Sequence, residues 1–420
     1  MNHEILKSVI FDAHETIRSL EIIPREYHFV DNVNYILIGL RRAGKSTLLY
    51  KLVQELVDKG VSWNQIIYIN FEDERLLEFT LTDFNDVVAV ASEMTTAKPY
   101  YFFDEVQNVA GWERFARRMA DANERVYITG SNAVMLSHEM ESRLGGRYMT
   151  MRVYPFNFHE YMEATGVRHD ETAYLTTKLN GRIRAAAERY LHDGGFPESL
   201  KFPVKRDYVD NIYQKILYGD IVARNSIRNP ESLRLMIKKI AETITSEVSY
   251  GKLSGAVTAA GYKLSKSAAV DYTHFAEDAY LIFHIQNYVS KFAEKESTPK
   301  YYFSDNGLLN LFLINKDTSL LENMVAIHLY QKFRDRLFYF RSPKTGIDVD
   351  FYIPDTKTAI QVCYSLENLD TRKRETGNLV KLASSFSEVE KVKIVTREEE
   401  DRLQIDGTEI EILPLYKFLS

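Results

Sequence analysis

Apolar and polar positions along the chain alternate at two periods. An amphipathic opening segment is followed by the continuous apolar run Tyr35–Gly39 and then by Ser46–Leu56, whose apolar residues recur at helical spacing. Three more short apolar runs, Gln65–Phe71, Tyr100–Asp104 and Arg125–Thr129, are separated by stretches long enough for crossover helices. This order predicts an α/β unit over residues 1–155, built on a mostly parallel, doubly wound sheet. After Pro155 the pattern turns helical, and 156–205 reads as a helical lid or linker, followed by a further mostly helical region over 206–300. From about Tyr301, strand-like runs (Leu337–Arg341, Asp348–Ile353, Ala359–Val362, Val392–Val395) alternate with helical stretches and predict a second, smaller α/β unit over 301–420.

Composition narrows the class. A chain of 420 residues with 45% hydrophobic and 27% charged positions is neither disordered nor fibrous, and its length fits two or three domains. The lone Cys363 excludes an internal disulfide and a cysteine-based zinc cluster. No apolar stretch approaches the ~18 residues of a membrane span, and the opening residues lack a signal-peptide core, so a cytoplasmic protein without membrane contact is expected. The net charge of −6 argues against a globally basic nucleic-acid binder. One segment departs from it: residues 201–266 hold 12 Lys/Arg and 6 Asp/Glu, a local excess of +6 that makes this stretch the candidate for anion or DNA contact.

The chemistry is concentrated at the ends of the first strands. Gly39-Leu40-Arg41-Arg42-Ala43-Gly44-Lys45-Ser46 fits G-x-x-x-x-G-K-[ST], a loop whose backbone N–H groups wrap phosphates at a helix N-terminus. The glycines allow close backbone approach, Lys45 reaches the terminal phosphates and the Ser46 hydroxyl ligates Mg2+; with Thr47 these residues form the expected nucleotide-binding segment. The run Tyr100–Phe103 ends in Asp104-Glu105, which suits Asp104 to Mg2+ and Glu105 to the general base. The next strand ends in Gly130-Ser131-Asn132, where Asn132, or Ser131 in its place, would hold the attacking water or sense the terminal phosphate. Arg147 follows a glycine pair, with Arg143 one helical turn earlier; an arginine there either stabilises a neighbouring subunit's transition state or forms a surface salt bridge.

In chain order, GLRRAGKSTLL, INFEDERL, YFFDEVQNVAGWERFARRM, ITGSN, LGGRY and YPFNFHEY resemble the predicted AAA+-type P-loop ATPases that carry a C-terminal restriction-nuclease-like domain. LHDGGFPE, YFSDNGLLN, LLEN and DVDFYI extend the likeness over most of the chain. The resemblance implies an AAA+ core, a winged-helix middle region and a small PD-(D/E)xK-like α/β domain, with ATP as the nucleotide. Leu253–Ala260 and Ser265–Tyr280 would then be the helix-turn-helix, and Tyr280–Asn287 and Lys300–Phe303 the wing strands. The second of these helices and the residues just before it mix Lys263 and Lys266 with Asp271, Glu277 and Asp278, which suits protein packing as well as DNA contact. In the C-terminal domain Glu322 and Asp350, with Asp348 beside it, match the nuclease carboxylates, whereas Gln361 and Cys363 stand where that fold needs an acid and a lysine. Gln361 can still offer a carbonyl oxygen, but Cys363 offers no ammonium, so the three residues Glu322, Asp350 and Gln361 read as a vestigial nuclease site. The resulting expectation is a Mg2+-dependent ATPase that assembles into a homo-oligomer and binds and remodels DNA through 201–266 and the C-terminal domain. The alternatives are a slow ATP-dependent switch that recruits a protein partner and an ATP-dependent DNA endonuclease.

Overall fold

Tyr35-Ile-Leu-Ile38 is almost fully buried, as a strand covered on both faces must be, and it forms the inner part of β1 (Asn34–Ile38). The computed structural model describes residues 1–131, 144–314 and 317–420. Contacts divide the chain into two compact units, Met1–Tyr154 and Pro155–Ser420.

In the first unit α1 (His3–Ser19), capped by the Asn2 side chain, packs against the sheet edge. β1 is followed by α2 (Lys45–Asp58), β2 (Ile66–Asn70), α3 (Phe84–Met94), β3 (Tyr100–Asp104), α4 (Trp112–Asp121), β4 (Arg125–Gly130) and β5 (Tyr148–Arg152). All strand pairs are parallel, in the order β2-β3-β4-β1-β5. β4 lies between β1 and β3, so the segments that follow these three strands emerge side by side at the C-terminal edge, where open parallel sheets bind ligands. An aromatic core fixes the layers: Phe84 on α3 stacks on Phe115 of α4 at 4.1 Å, and Phe102 on Tyr127 at 5.0 Å.

In the second unit the short helices Phe158–Ala164 and Glu171–Leu175 precede α5 (Thr177–Asp193) and α6 (Lys205–Gln214), which runs into a π-helical stretch over Lys215–Ala223. α7 (Pro230–Glu242), α8 (Tyr250–Ala259) and α9 (Lys266–Asp278) follow, the last two capped by Ser249 and Ser265. Next come β6 (Ile282–Asn287), β7 (Lys300–Phe303), α10 (Asp317–Phe333), β8 (Phe338–Ser342), β9 (Ile347–Ile353), β10 (Thr358–Val362), α11 (Leu369–Ser385), β11 (Lys391–Thr396), β12 (Asp401–Ile405) and β13 (Thr408–Pro414). These strands form one sheet in the order β12-β13-β11-β10-β9-β8-β6-β7.

That sheet draws on two of the expected segments, 206–300 and 301–420. β6 pairs antiparallel with β7 but parallel with β8, Gln286 opposite Phe338 and Asn287 opposite Tyr339, so the hairpin assigned to the middle region is continuous with the C-terminal strands. All three segments belong to one compact unit. Among the described residues no helix is long and apolar enough to cross a membrane.

Candidate nucleotide site

The turn after β1 takes a path that few side chains permit. Gly39 has φ +141°, and a Cβ there would lie 2.1 Å from the Val153 carbonyl oxygen. Arg42 and Gly44 also have positive φ, +63° and +97°, and Gly44 caps α2, so Lys45 starts the helix directly behind the loop. The buried Leu40 and Ala43 side chains anchor the loop to the core, while Arg42 and Thr47 face outward. Arg25 donates to the Ala43 carbonyl at 2.9 Å and to the Tyr154 carbonyl at 2.8 Å, tying the loop to the end of the unit. Arg41 pairs with Glu72 beyond β2 at 3.2 Å. Lys45 is buried, its Nζ donating to the Gly39 and Leu40 carbonyls at 3.1 Å each. The ammonium thus bridges the mouth of the loop.

Asp104, at the end of β3, is buried. Its Oδ1 accepts from the Thr129 hydroxyl of β4, its Oδ2 accepts from Tyr68 Oη of β2 at 2.7 Å, and Ser46 on α2 bonds the same carboxylate. Burial, and secondarily the charge of Glu105, raises the Asp104 pKa above its ordinary value, while the Thr129, Ser46 and Tyr68 hydrogen bonds pull it back. Burial and the neighbouring Asp104 hold the Tyr68 phenol well above its usual range, so Tyr68 stays a donor.

Glu105 adopts the left-handed region (φ +52°), which turns its side chain out of the strand. Its amide donates to Thr129 Oγ1 at 2.9 Å, so one hydroxyl holds both acids. Ser131 Oγ donates to Glu105 Oε2 at 3.2 Å, and the Gln107 amide donates to the same oxygen.

Lys45, Ser46, Asp104 and Glu105, predicted from sequence, therefore converge at one sheet edge, and Ser131 joins them; Asn132 and Arg143 lie outside the described residues. Arg147 does not join this group. It precedes Tyr148, which pairs with Asn34 at the opposite edge of the sheet, and its Nε lies 2.5 Å from Asp121 at the end of α4. Thr129, Tyr68 and Gln107 were not predicted: each is a single polar residue in or beside an apolar run, and only the parallel register of β2, β3 and β4 brings them to Asp104 and Glu105.

The residues fit a nucleotide with its Mg2+. The loop leaves no room for a Cβ at Gly39, the Lys45 ammonium lies against the loop carbonyls of Gly39 and Leu40, and the Ser46 hydroxyl already meets the Asp104 carboxylate.

In the second unit Glu322 (α10) and Asp350 (β9) are buried on either side of Lys300 (β7), whose Nζ is 3.5 Å from Glu322 Oε1 and 3.2 Å from Asp350 Oδ1. Gln361 is buried on β10, and its Oε1 has no hydrogen-bond partner among the described residues. Burial pushes the Cys363 thiol up to about 11, so it carries no charge near neutrality. Among the described residues no group of three or more His, Cys, Asp or Glu is arranged to hold a metal ion.

Comparison with known proteins agrees with the site in the first unit. Over 435 aligned positions the chain is 30% identical to the uncharacterized protein MJ1544 of Methanocaldococcus jannaschii, covering 99% of this chain and 95% of that one. The chain belongs to the MJ1544 family. A protein of Haemophilus influenzae, likewise described as uncharacterized, is 27% identical over 384 residues, covering 89% of this chain and 92% of its own. Within the family frame, the AAA domain model matches residues 31–162, which contain the whole phosphate loop, Asp104 and Glu105. A domain of unknown function (DUF8612) matches residues 184–334. The solved structure of the Walker-type ATPase PABY2304 of Pyrococcus abyssi aligns with 73% of this chain and 95% of its own at 15% identity and a TM-score of 0.41.

Proposed function

We propose that the first unit binds ATP with Mg2+ and hydrolyses it, and that the cycle changes how the second unit holds DNA. The observation that carries this reading is the convergence of Lys45, the Ser46–Asp104 pair and Glu105 at the C-terminal edge of β1 and β3. Lys45 exchanges the Gly39 and Leu40 carbonyls for phosphate oxygens, and the N–H groups of the loop and of the first turn of α2 take the remaining phosphate charge. Ser46 and Asp104 would hold the Mg2+, which when bound neutralises phosphate charge. Glu105, turned out of the strand, accepts a proton from the attacking water, and Ser131 and Gln107 fix its carboxylate. Arg147 lies far from the phosphate loop of its own chain, as a residue serving a neighbouring subunit in a homo-oligomer would.

DNA contact is assigned to the second unit. Lys263 and Lys266 are exposed around the start of α9, together with Ser265 and Ser267, and Lys201, Lys215, Arg224, Arg228, Lys238 and Lys252 are exposed elsewhere in 201–266. Lys205, Arg234 and Lys239 of the same segment are paired with Asp193, Glu231 and Glu242, which lowers the charge available for phosphates. The helices α8 and α9 with the β6–β7 hairpin support a winged-helix reading of this surface.

A slow ATP-dependent switch that recruits a protein is the second reading. It is favoured by the hydrogen bonds from Gln107 and Ser131 that hold Glu105 Oε2. Steady-state ATP turnover with Mg2+, alone and with single-stranded, duplex and four-way-junction DNA, separates the two. Stimulation by one DNA form supports the remodeller; a slow rate that no DNA changes, with nucleotide binding lost in Lys45→Ala, supports the switch.

A further inference from the structure

Outside the nucleotide site a cluster of buried charge lies where β7, α10 and β9 meet. Lys300 is 3% exposed, Glu322 4% and Asp350 8%. The Lys300 ammonium contacts both acids, at 3.2 Å and 3.5 Å, from a third element. The surroundings hold the two carboxylates in place: Tyr302 Oη donates to Glu322 Oε1 at 2.9 Å, and the Val362 amide donates to Asp350 Oδ2 at 3.0 Å. Asn323 fixes the helix itself, exchanging two hydrogen bonds with the Phe303 backbone at 2.8 and 3.1 Å.

A divalent ion shared by two carboxylates would sit about 2.0–2.6 Å from an oxygen of each. That point is crowded by an ammonium already within ion-pair distance of both, and a second cation there would be repelled across a few ångströms of low-dielectric interior. We infer that Lys300 fills the cation position between Glu322 and Asp350, which makes this cluster a metal-free clasp of β7, α10 and β9, and the second unit a binding domain without a metal-dependent nuclease centre. The inference rests on the nuclease-like reading of this unit and is independent of ATP hydrolysis in the first. It also predicts what removal of the ammonium does. Two buried carboxylates without a cation are costly, and with the unpartnered carbonyl of Gln361 one residue before Val362, they become oxygen ligands in search of one.

The test is sensitised terbium(III) luminescence, with Mn2+ electron paramagnetic resonance, on the nucleotide-free full chain. Wild type and Asp350→Asn are expected to give the same signal. Lys300→Met is expected to gain a binding site that the wild type lacks, and Lys300→Met/Asp350→Asn to lose it. Asp350-dependent ion binding by the wild type, or a folded Lys300→Met chain that gains none, would overturn the inference. If Lys300→Met is unfolded without metal, saturating Mn2+ is expected to restore its circular dichroism; failure to restore it also counts against the clasp. ATP turnover of the wild type moves with none of these outcomes, so failure of the ATPase reading is seen separately.

Discussion

Thr129 is the residue on which the two acids of the nucleotide site depend together. Its hydroxyl donates to Asp104 Oδ1 and accepts from the Glu105 amide, and it is fully buried. Thr129→Val keeps the shape and removes both interactions. A hydrogen bond to a charged group contributes about 1.5–3 kcal/mol, and a buried amide left without an acceptor costs about 1–3 kcal/mol; since the two share one atom, about 3 kcal/mol is expected rather than their sum. The loss is also pH-dependent. Burial raises the folded-state pKa of Asp104, so the stability associated with its protonated form is complete below the ordinary Asp range and lost as pH rises through the folded value. Removing the Thr129 donor raises that value further, so the deficit of the variant grows from acidic to neutral pH. Both tryptophans, Trp63 and Trp112, lie in the first unit, so urea unfolding followed by tryptophan fluorescence reads this unit directly. Thr129→Ser should recover most of the loss. A Thr129→Val deficit below about 0.5 kcal/mol, the level of an ordinary surface change, or one independent of pH, would refute the assignment.

Other consequences are open to direct measurement. Gly39→Ala places a Cβ 2.1 Å from the Val153 carbonyl at φ +141°, a strain of about 1–3 kcal/mol before any steric overlap, and is expected to weaken fluorescent-nucleotide binding by about tenfold or more; unchanged affinity would show that the loop has room to relax. Arg147→Ala breaks a half-exposed pair with Asp121, so stability should change by less than about 1 kcal/mol while turnover falls about 10³-fold if the arginine serves a neighbouring subunit; unchanged turnover leaves it the Asp121 pair alone. Burial, and secondarily the charge of Asp350, raises the Glu322 pKa above its ordinary value, so its contribution to stability is present below the ordinary Glu range and lost as pH rises through the raised folded value. Glu322→Gln should flatten that loss in denaturation followed by circular dichroism, and an unchanged slope would contradict the assignment.

The first unit was legible because its signals are local. The β1 run, the loop and α2 fall within two residues of their predicted bounds, since a buried parallel strand is a continuous apolar run and the turn after it needs glycine at fixed places. β5 was missed because Tyr148–Arg152 is a half-exposed edge strand with no apolar run, and β12 and β13 because their alternation is diluted by Asp401, Arg402, Glu409 and Glu411. The sites divided in the same way. Lys45, Asp104 and Glu105 follow from spacing, whereas Thr129, Tyr68 and Lys300 act through pairings between strands distant in sequence. Lys300 did leave a trace, a lysine at the head of the apolar run Lys300-Tyr-Tyr-Phe303, but its partners Glu322 and Asp350 are brought to it only by the packing of α10 and β9.

Single-turnover hydrolysis of ATP with Mg2+ tests the central claim most directly, when nucleotide binding and phosphate release are followed on wild type, Lys45→Ala and Glu105→Gln. The account predicts that wild type binds and cleaves, that Lys45→Ala does not bind, and that Glu105→Gln binds but releases phosphate at least about 10²-fold more slowly. Equal phosphate release from wild type and Glu105→Gln, or nucleotide binding that survives Lys45→Ala, would contradict it.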